Sequence, residues 1–208
     1  MEKYQKTKNN HMKTEGMTKK DQFQKSPNRK GLFIAAAIAV VVLGAALMML
    51  YNFDRDAESE AAQYLGESVA ESRSYIGEVV SMTEIEPMIE DGWLTMPLAV
   101  ISEHNIVYFE MDNDEGFSVP LMAYITPSGR LFAGSSMCEP CQGRIFSLAG
   151  ETLVCDTCRT TYTIEDQRFI SGSTACGAYP PVNMNPLVEN GLVKIPLEKV
   201  LEWRTRSE

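Results

Sequence analysis

One uninterrupted apolar run stands apart in the chain. Gly31 to Tyr51 (GLFIAAAIAVVVLGAALMMLY) holds 21 residues without a charged side chain. At about 1.5 Å per residue, such a helix spans the roughly 30 Å hydrocarbon core of a bilayer. Residues 31–51 are therefore predicted to form a transmembrane helix. A cleavable signal peptide has a shorter apolar core, usually about 7–15 residues. The polar stretch of 30 residues ahead of the run, and the lack of a small-x-small site after it, favour a retained anchor. Residues 1–30 are rich in Lys, Asn and Gln and too poor in apolar side chains to bury a core, so they are expected to be a disordered tail.

Beyond the anchor the periodicity changes. Ala61, Leu65, Val69 and Ile76 recur at spacings of four or seven with acidic residues between them. That is the pattern of an amphipathic helix, so 52–80 is predicted to be an acidic juxtamembrane helix. Short alternating or apolar runs follow: WLTMPL, NIVYFEM, FSVPLMAYIT, RLFAG, RIFSL, TLVC and TYTI. These read as strands, with DNDEG (112–116) and TPSGR (126–130) as the turns between them. The segment EDGWLTMPLAVISE (90–103) is echoed by ENGLVKIPLEKVLE (189–202). A glycine turn, a short strand and a Pro-Leu exit explain both copies, with Pro97 and Pro196 at strand ends because proline cannot donate to a ladder. The predicted fold class is α+β: one N-terminal transmembrane helix, then a strand-rich extracytoplasmic domain over 81–208.

Charge sets the orientation. The net charge is −9, yet residues 1–30 carry nine Lys/Arg against three Asp/Glu. The residues after 51 carry ten Lys/Arg against 25 Asp/Glu. Positive flanks stay cytoplasmic. Lys25, Arg29 and Lys30 therefore place the N-terminus in the cytoplasm and the acidic C-terminal region outside the cell membrane. An acidic domain also excludes a nucleic-acid partner, which requires a basic face.

The chemistry is concentrated in MCEPCQGRIFSLAGETLVCDTC, Met137 to Cys158. Cys138 and Cys141 form one CxxC, and Cys155 and Cys158 form the other. The spacer divides into RIFSL, a turn at Ala149-Gly150, and ETLV. A hairpin there brings both CxxC turns to the same end, with Gly143 relieving crowding behind the first. Four converging thiolates suit zinc, a single iron, or an iron–sulfur cluster. Disulfides are the alternative for an outward-facing domain, but five cysteines would leave one unpaired. Cys176, in SGSTACGAYPPVNMNP, is expected in an ordered loop, either as a further ligand or as a buried thiol. His104 is the one histidine after the anchor and reads as a packing or surface residue. Met137 and Met184 flank the cysteine region and are the methionines placed for a soft metal such as copper(I). No phosphate loop, GxSxG, HExxH or CxxCH is present. A non-enzymatic role is favoured over catalysis.

The order NIVYFEM…FAGSSMCEPCQGRIFSLAGETLVCDTCRTTYTI…SGSTACGAYPPV resembles the FtrD-like membrane iron–sulfur proteins over about 90–203. The matching positions are Cys138, Cys141, Cys155, Cys158 and Cys176. The resemblance implies a thiolate-bound iron or iron–sulfur centre held by these cysteines. It also implies electron transfer in iron uptake, with an iron permease or another membrane transport subunit as partner. This chain departs from the family pattern at Arg159-Thr160-Thr161 and in having one predicted membrane helix where many members have several. Two other readings stand beside this one. The first is a structural zinc ribbon in a binding module. The second is a copper or iron delivery protein that uses Met137 and Met184 beside the thiolates.

Overall fold

The computed structural model describes residues 33–34, 37–49, 64–113 and 115–207. It separates into two units, 1–52 and 53–208. In the first unit, residues 37–49 are helical with exposed side chains. Among the described residues no helix is long and apolar enough to cross a membrane. The expected span 31–51 includes residues that lie outside the described ones, as does the whole tail 1–30.

Among the described residues the second unit holds three sheets. The central one has the order β2-β5-β6-β7: β2 is Thr83–Glu84, β5 Ile106–Asp112, β6 Ser118–Ile125 and β7 Leu131–Ser135. The DNDEG and TPSGR turns join β5 to β6 and β6 to β7 as the sequence predicts. In the second of these turns Thr126 N–H donates to the Arg130 carbonyl at 2.8 Å. This sheet is buried on both faces, and the pleat sorts its side chains. Val107, Phe109, Leu121, Ala123, Ile125, Leu131 and Ala133 enter one core, whereas Ile106, Met122, Tyr124 and Phe132 enter another. Successive strand residues point to opposite faces, so near-continuous apolar runs are what such a middle layer requires.

The first core is closed by a sheet of order β12-β13-β4-β3, with β3 Met88–Glu90, β4 Trp93–Pro97, β12 Leu187–Glu189 and β13 Leu192–Pro196. Here the sequence echo becomes a local two-fold. Strands β4 and β13 pair antiparallel, with Trp93 opposite Pro196 and Pro97 opposite Leu192. Leu98 N–H donates to the Gly191 carbonyl at 2.9 Å, and Leu197 N–H donates to the Gly92 carbonyl at 3.0 Å. Both tight turns place an Asp or Asn and then a Gly at positive φ (Asp91 and Gly92, Asn190 and Gly191). That backbone matches strand twist in a two-residue hairpin. Each copy exits through its proline into a short helix, α1 (Leu98–His104) or α3 (Leu197–Glu202). His104 ends α1 and is half-buried.

The second core is closed by a sheet of order β1-β8-β9-β10-β11: β1 Val79–Ser81, β8 Phe146–Ala149, β9 Thr152–Cys155, β10 Thr161–Thr163 and β11 Phe169–Ser171. Phe146, Leu148, Leu153 and Tyr162 face inward from it.

One expectation changes. The helix predicted over 52–80 is present, among the described residues, at Tyr64 and Leu65. From Gly66 (φ +80°) the chain runs as an irregular strap over the β6–β7 turn. Val69 and Ala70 N–H donate to the Gly129 carbonyl, and Arg73 N–H donates to the Pro127 carbonyl. Buried Tyr75 donates its hydroxyl to the Ile125 carbonyl at 2.7 Å. Tertiary burial of Tyr75 and these backbone bonds override a helical periodicity that Gly66 and Gly77, both at positive φ, already weaken.

Candidate metal centre

The hairpin β8–β9 sets the site. Phe146 pairs with Cys155 and Ala149 with Thr152, with Gly150 in the turn at φ +61°. The strand ends therefore return to one edge, where Cys138 to Cys141 and Cys155 to Cys158 form two turns of the same design. Cys138 N–H donates to the carbonyl five residues on, Gly143, at 2.8 Å. Cys155 N–H does the same to Thr160 at 2.9 Å. The residue after each second cysteine, Gln142 and Arg159, takes positive φ. In the first turn Pro140 supports the 3-10 helix Glu139–Cys141. Glu139 is anchored by Arg206, whose Nε lies 2.6 Å from its carboxylate.

The sulfurs converge. Cys138 and Cys158 Sγ lie 3.6 Å apart, Cys141 and Cys155 Sγ lie 3.8 Å apart, and all four fall within 4.8 Å of one another. A tetrahedron built on bonds of about 2.3 Å to zinc has an edge of about 3.8 Å. The spacing fits a single tetrahedral ion held by four thiolates. Cys138 and Cys155 are buried, while Cys141 and Cys158 are partly exposed. All five cysteines are free thiols, and none forms a disulfide.

The thiols differ in acidity. The Cys155 thiol is drawn down to about 5, chiefly by a hydrogen bond from the Cys138 thiol, with the Cys158 and Thr157 N–H groups adding to it against burial. The Cys138 thiol is correspondingly pushed up by Cys155 and by burial. Burial pushes the Cys141 thiol up to about 12, opposed by the Gly143 N–H. The edge thus pairs a more acidic Cys155 with a less acidic Cys138.

Gly143 behaves as the sequence suggests. A Cβ there would meet Thr157 Oγ1 at 2.7 Å and Cys155 Sγ at 2.9 Å. Cys176 differs from its loop expectation: it lies on a four-residue helix, α2 (Thr174–Gly177), because the Ser173 side chain caps it by accepting from Cys176 N–H. Its Sγ is 3.8 Å from Cys158 Sγ. Met137 and Met184 are not beside the thiolates. Both pack into the first core, against the opposite face of the central sheet. The copper or iron delivery reading thereby loses its two thioethers and keeps the thiolates. Met82 packs near the thiols instead and accepts from Phe146 N–H at 3.5 Å. Tyr162 and Thr160 also line the site, and no spacing in the sequence distinguishes them as site residues.

The fold and the site define a class: a strand-layered domain with a paired-CxxC thiol site capable of holding a metal. The model of the family described as "Membrane iron-sulfur containing protein FtrD-like" matches residues 101–206, a range that includes all five cysteines. The chain belongs to this FtrD-like family. No curated protein and no solved structure matches it.

Proposed function

We propose that Cys138, Cys141, Cys155 and Cys158 hold an iron centre that passes single electrons in iron or metal uptake. In this reading residues 31–51 anchor the chain as a single span, and the cysteine domain faces outward from the cell membrane. An iron permease or another transport subunit is the expected partner. The observation that carries the proposal is the convergence of four thiol sulfurs within 4.8 Å in a member of a membrane iron–sulfur family.

Iron bound by thiolates would supply one-electron redox chemistry. The chain's own residues provide the rest. Phe146, Leu148 and Tyr162 exclude water on the inner side of the thiols. The N–H groups of Thr157 and Cys158 favour negative sulfur at Cys155, and that of Gly143 does so at Cys141. Such bonds stabilise negative sulfur and tune a potential. Cys141 and Cys158, the partly exposed pair, form the edge through which a partner would be reached.

A structural zinc site is the second reading, favoured by the single-ion spacing of the sulfurs. Metal and acid-labile sulfide analysis of the full chain, purified without oxygen, separates the two. Iron with visible thiolate-to-iron absorption, abolished in Cys155→Ser, supports electron transfer. Sulfide in proportion to iron indicates a cluster, and its absence a mononuclear iron. One zinc per chain and no colour refutes the redox role.

A further inference from the structure

Five thiols surround a site whose sulfur spacing fits one four-coordinate ion. The fifth, Cys176, is placed with more care than an apolar filler requires. Ser173 caps its helix. Tyr162 donates its hydroxyl to the Cys176 carbonyl at 2.8 Å. Gly172 lies so close to Thr160 that a Cβ would meet the Thr160 Cα at 2.6 Å. A Cβ on Gly177 would strike the Phe169 ring at 2.3 Å. The result is a thiol only 3 % exposed whose sulfur faces another sulfur.

The neighbour it faces is Cys158, which stands between two sulfurs, 3.6 Å from Cys138 and 3.8 Å from Cys176. Thr160 joins the two loops. Its Oγ1 lies 3.1 Å from Cys158 Sγ and accepts from Ser173 N–H at 3.2 Å. The matching cysteine of the first CxxC turn, Cys141, has no such neighbour. Its sulfur is in contact with Cys155 Sγ and with the Cys138 carbonyl at 3.5 Å. The two turns share a backbone design, yet of their second cysteines Cys158 has the spare thiol beside it and Cys141 has Cys155.

We propose that Cys158 and Cys176 are alternative fourth thiolates for the same ion. Cys138, Cys141 and Cys155 form a fixed three-thiolate base, and the fourth position exchanges between the partly exposed Cys158 and the buried Cys176. Cys158 can then leave the ion toward solvent or a partner while the ion keeps four sulfur ligands. Each exchange makes one metal–sulfur bond and breaks one, the proton passing from the incoming thiol to the outgoing thiolate, with no change in oxidation state. The inference rests on the thiolate metal site proposed above.

The test uses cobalt(II) and the full chain, because the thiolate-to-cobalt absorption grows with the number of thiolates bound. The unaltered chain and Cys176→Ser should both show four-thiolate spectra. Cys158→Ser should keep a four-thiolate spectrum, with affinity reduced by less than about tenfold. Cys141→Ser and Cys158→Ser/Cys176→Ser should show three-thiolate spectra, with losses beyond the roughly 10–100-fold typical of outer-shell changes. A three-thiolate spectrum in Cys158→Ser with native circular dichroism overturns the proposal. Should Cys158→Ser lose its native circular dichroism, cadmium NMR of the unaltered chain and of Cys176→Ser decides. Exchange broadening that sharpens in Cys176→Ser supports the proposal, and identical line widths overturn it. An unaltered chain with no thiolate spectrum refutes the metal site itself, a failure distinct from that of the exchange.

Discussion

Replacing Gly143 with alanine should weaken metal binding far more than it destabilises the metal-free chain. The new Cβ would lie 2.9 Å from Cys155 Sγ, 2.9 Å from Thr157 Cβ and 2.7 Å from Thr157 Oγ1. Gly143 is not at positive φ, so the backbone itself tolerates alanine. The cost is therefore steric, and its size depends on whether the neighbours can yield. Without metal, Cys155 Sγ and Thr157 Oγ1 can turn aside, and only the contact with Thr157 Cβ, set by the backbone, still needs a small shift of the turn in both states. With metal, the Cys155 sulfur is fixed by its bond and cannot. Overpacking of this kind costs about 1–3 kcal/mol. Expressed wholly in the bound state, that is a loss of roughly 5- to 150-fold in affinity. The assay is competition for zinc or cobalt(II) between the full chain and a chromophoric chelator, with melting of the metal-free chain measured in parallel. Gly134→Ala is the contrast, because its Cβ would meet the Val182 carbonyl oxygen, a backbone atom, at 1.9 Å, away from the thiols. It should lower the melting temperature of the metal-free chain and leave the thiolate spectrum unchanged. Equal metal affinity in Gly143→Ala and the unaltered chain would refute the reasoning.

Three further outcomes follow from the same geometry. Because the Cys138 and Cys141 thiols are raised while Cys155 is held low, binding near neutral pH should displace at least two protons. Affinity should then rise about 100-fold per pH unit, at tenfold per proton, and fall as pH drops; a slope of one proton or fewer in chelator competition across pH 6–8 contradicts this. Arg206→Met removes the guanidinium from the fully buried Glu139 carboxylate beside the first CxxC turn and leaves it the backbone N–H of residue 206 alone from that arm. With the arginine 40% exposed, the loss should be nearer about 2 kcal/mol than the 3–5 of a fully buried pair, and denaturant unfolding should show it largely relieved in Glu139→Gln/Arg206→Met. Tyr75→Ala should cost about 3–5 kcal/mol, as deletion of a buried aromatic ring does, and an unchanged unfolding midpoint would show that the strap is not part of the folded unit.

The site was legible in the sequence because its geometry is local. A CxxC turn is built from consecutive residues, and RIFSL and ETLV flank a turn that pairs them in one register. Convergence of Cys138, Cys141, Cys155 and Cys158 therefore follows from short-range structure. The repeated Gly-strand-Pro-Leu pattern was legible for the same reason, since each copy is a hairpin and a helix start. The juxtamembrane reading failed where local pattern and tertiary contact disagreed. Val69 fits a helical face, but its N–H and that of Ala70 bond to Gly129, some 60 residues away in the chain. The strap gains from the domain what a helix would have drawn from itself.

The sequence by itself determined which residues can bind a metal, that the strands alternate or run apolar, and where the turns fall. Those properties reside in residue type and in spacings shorter than one hairpin. Only the tertiary structure decided which atoms meet across the layers. It put Met137 and Met184 into the first core, on the far side of the central sheet from the thiols. It joined the two echoed hairpins through β4 and β13 into one sheet. It also brought Cys176 to 3.8 Å from Cys158. The physical reason is that a side chain's neighbours across a sheet depend on register and on which face it occupies, and both are settled by burial of the whole set of strands rather than by any one segment.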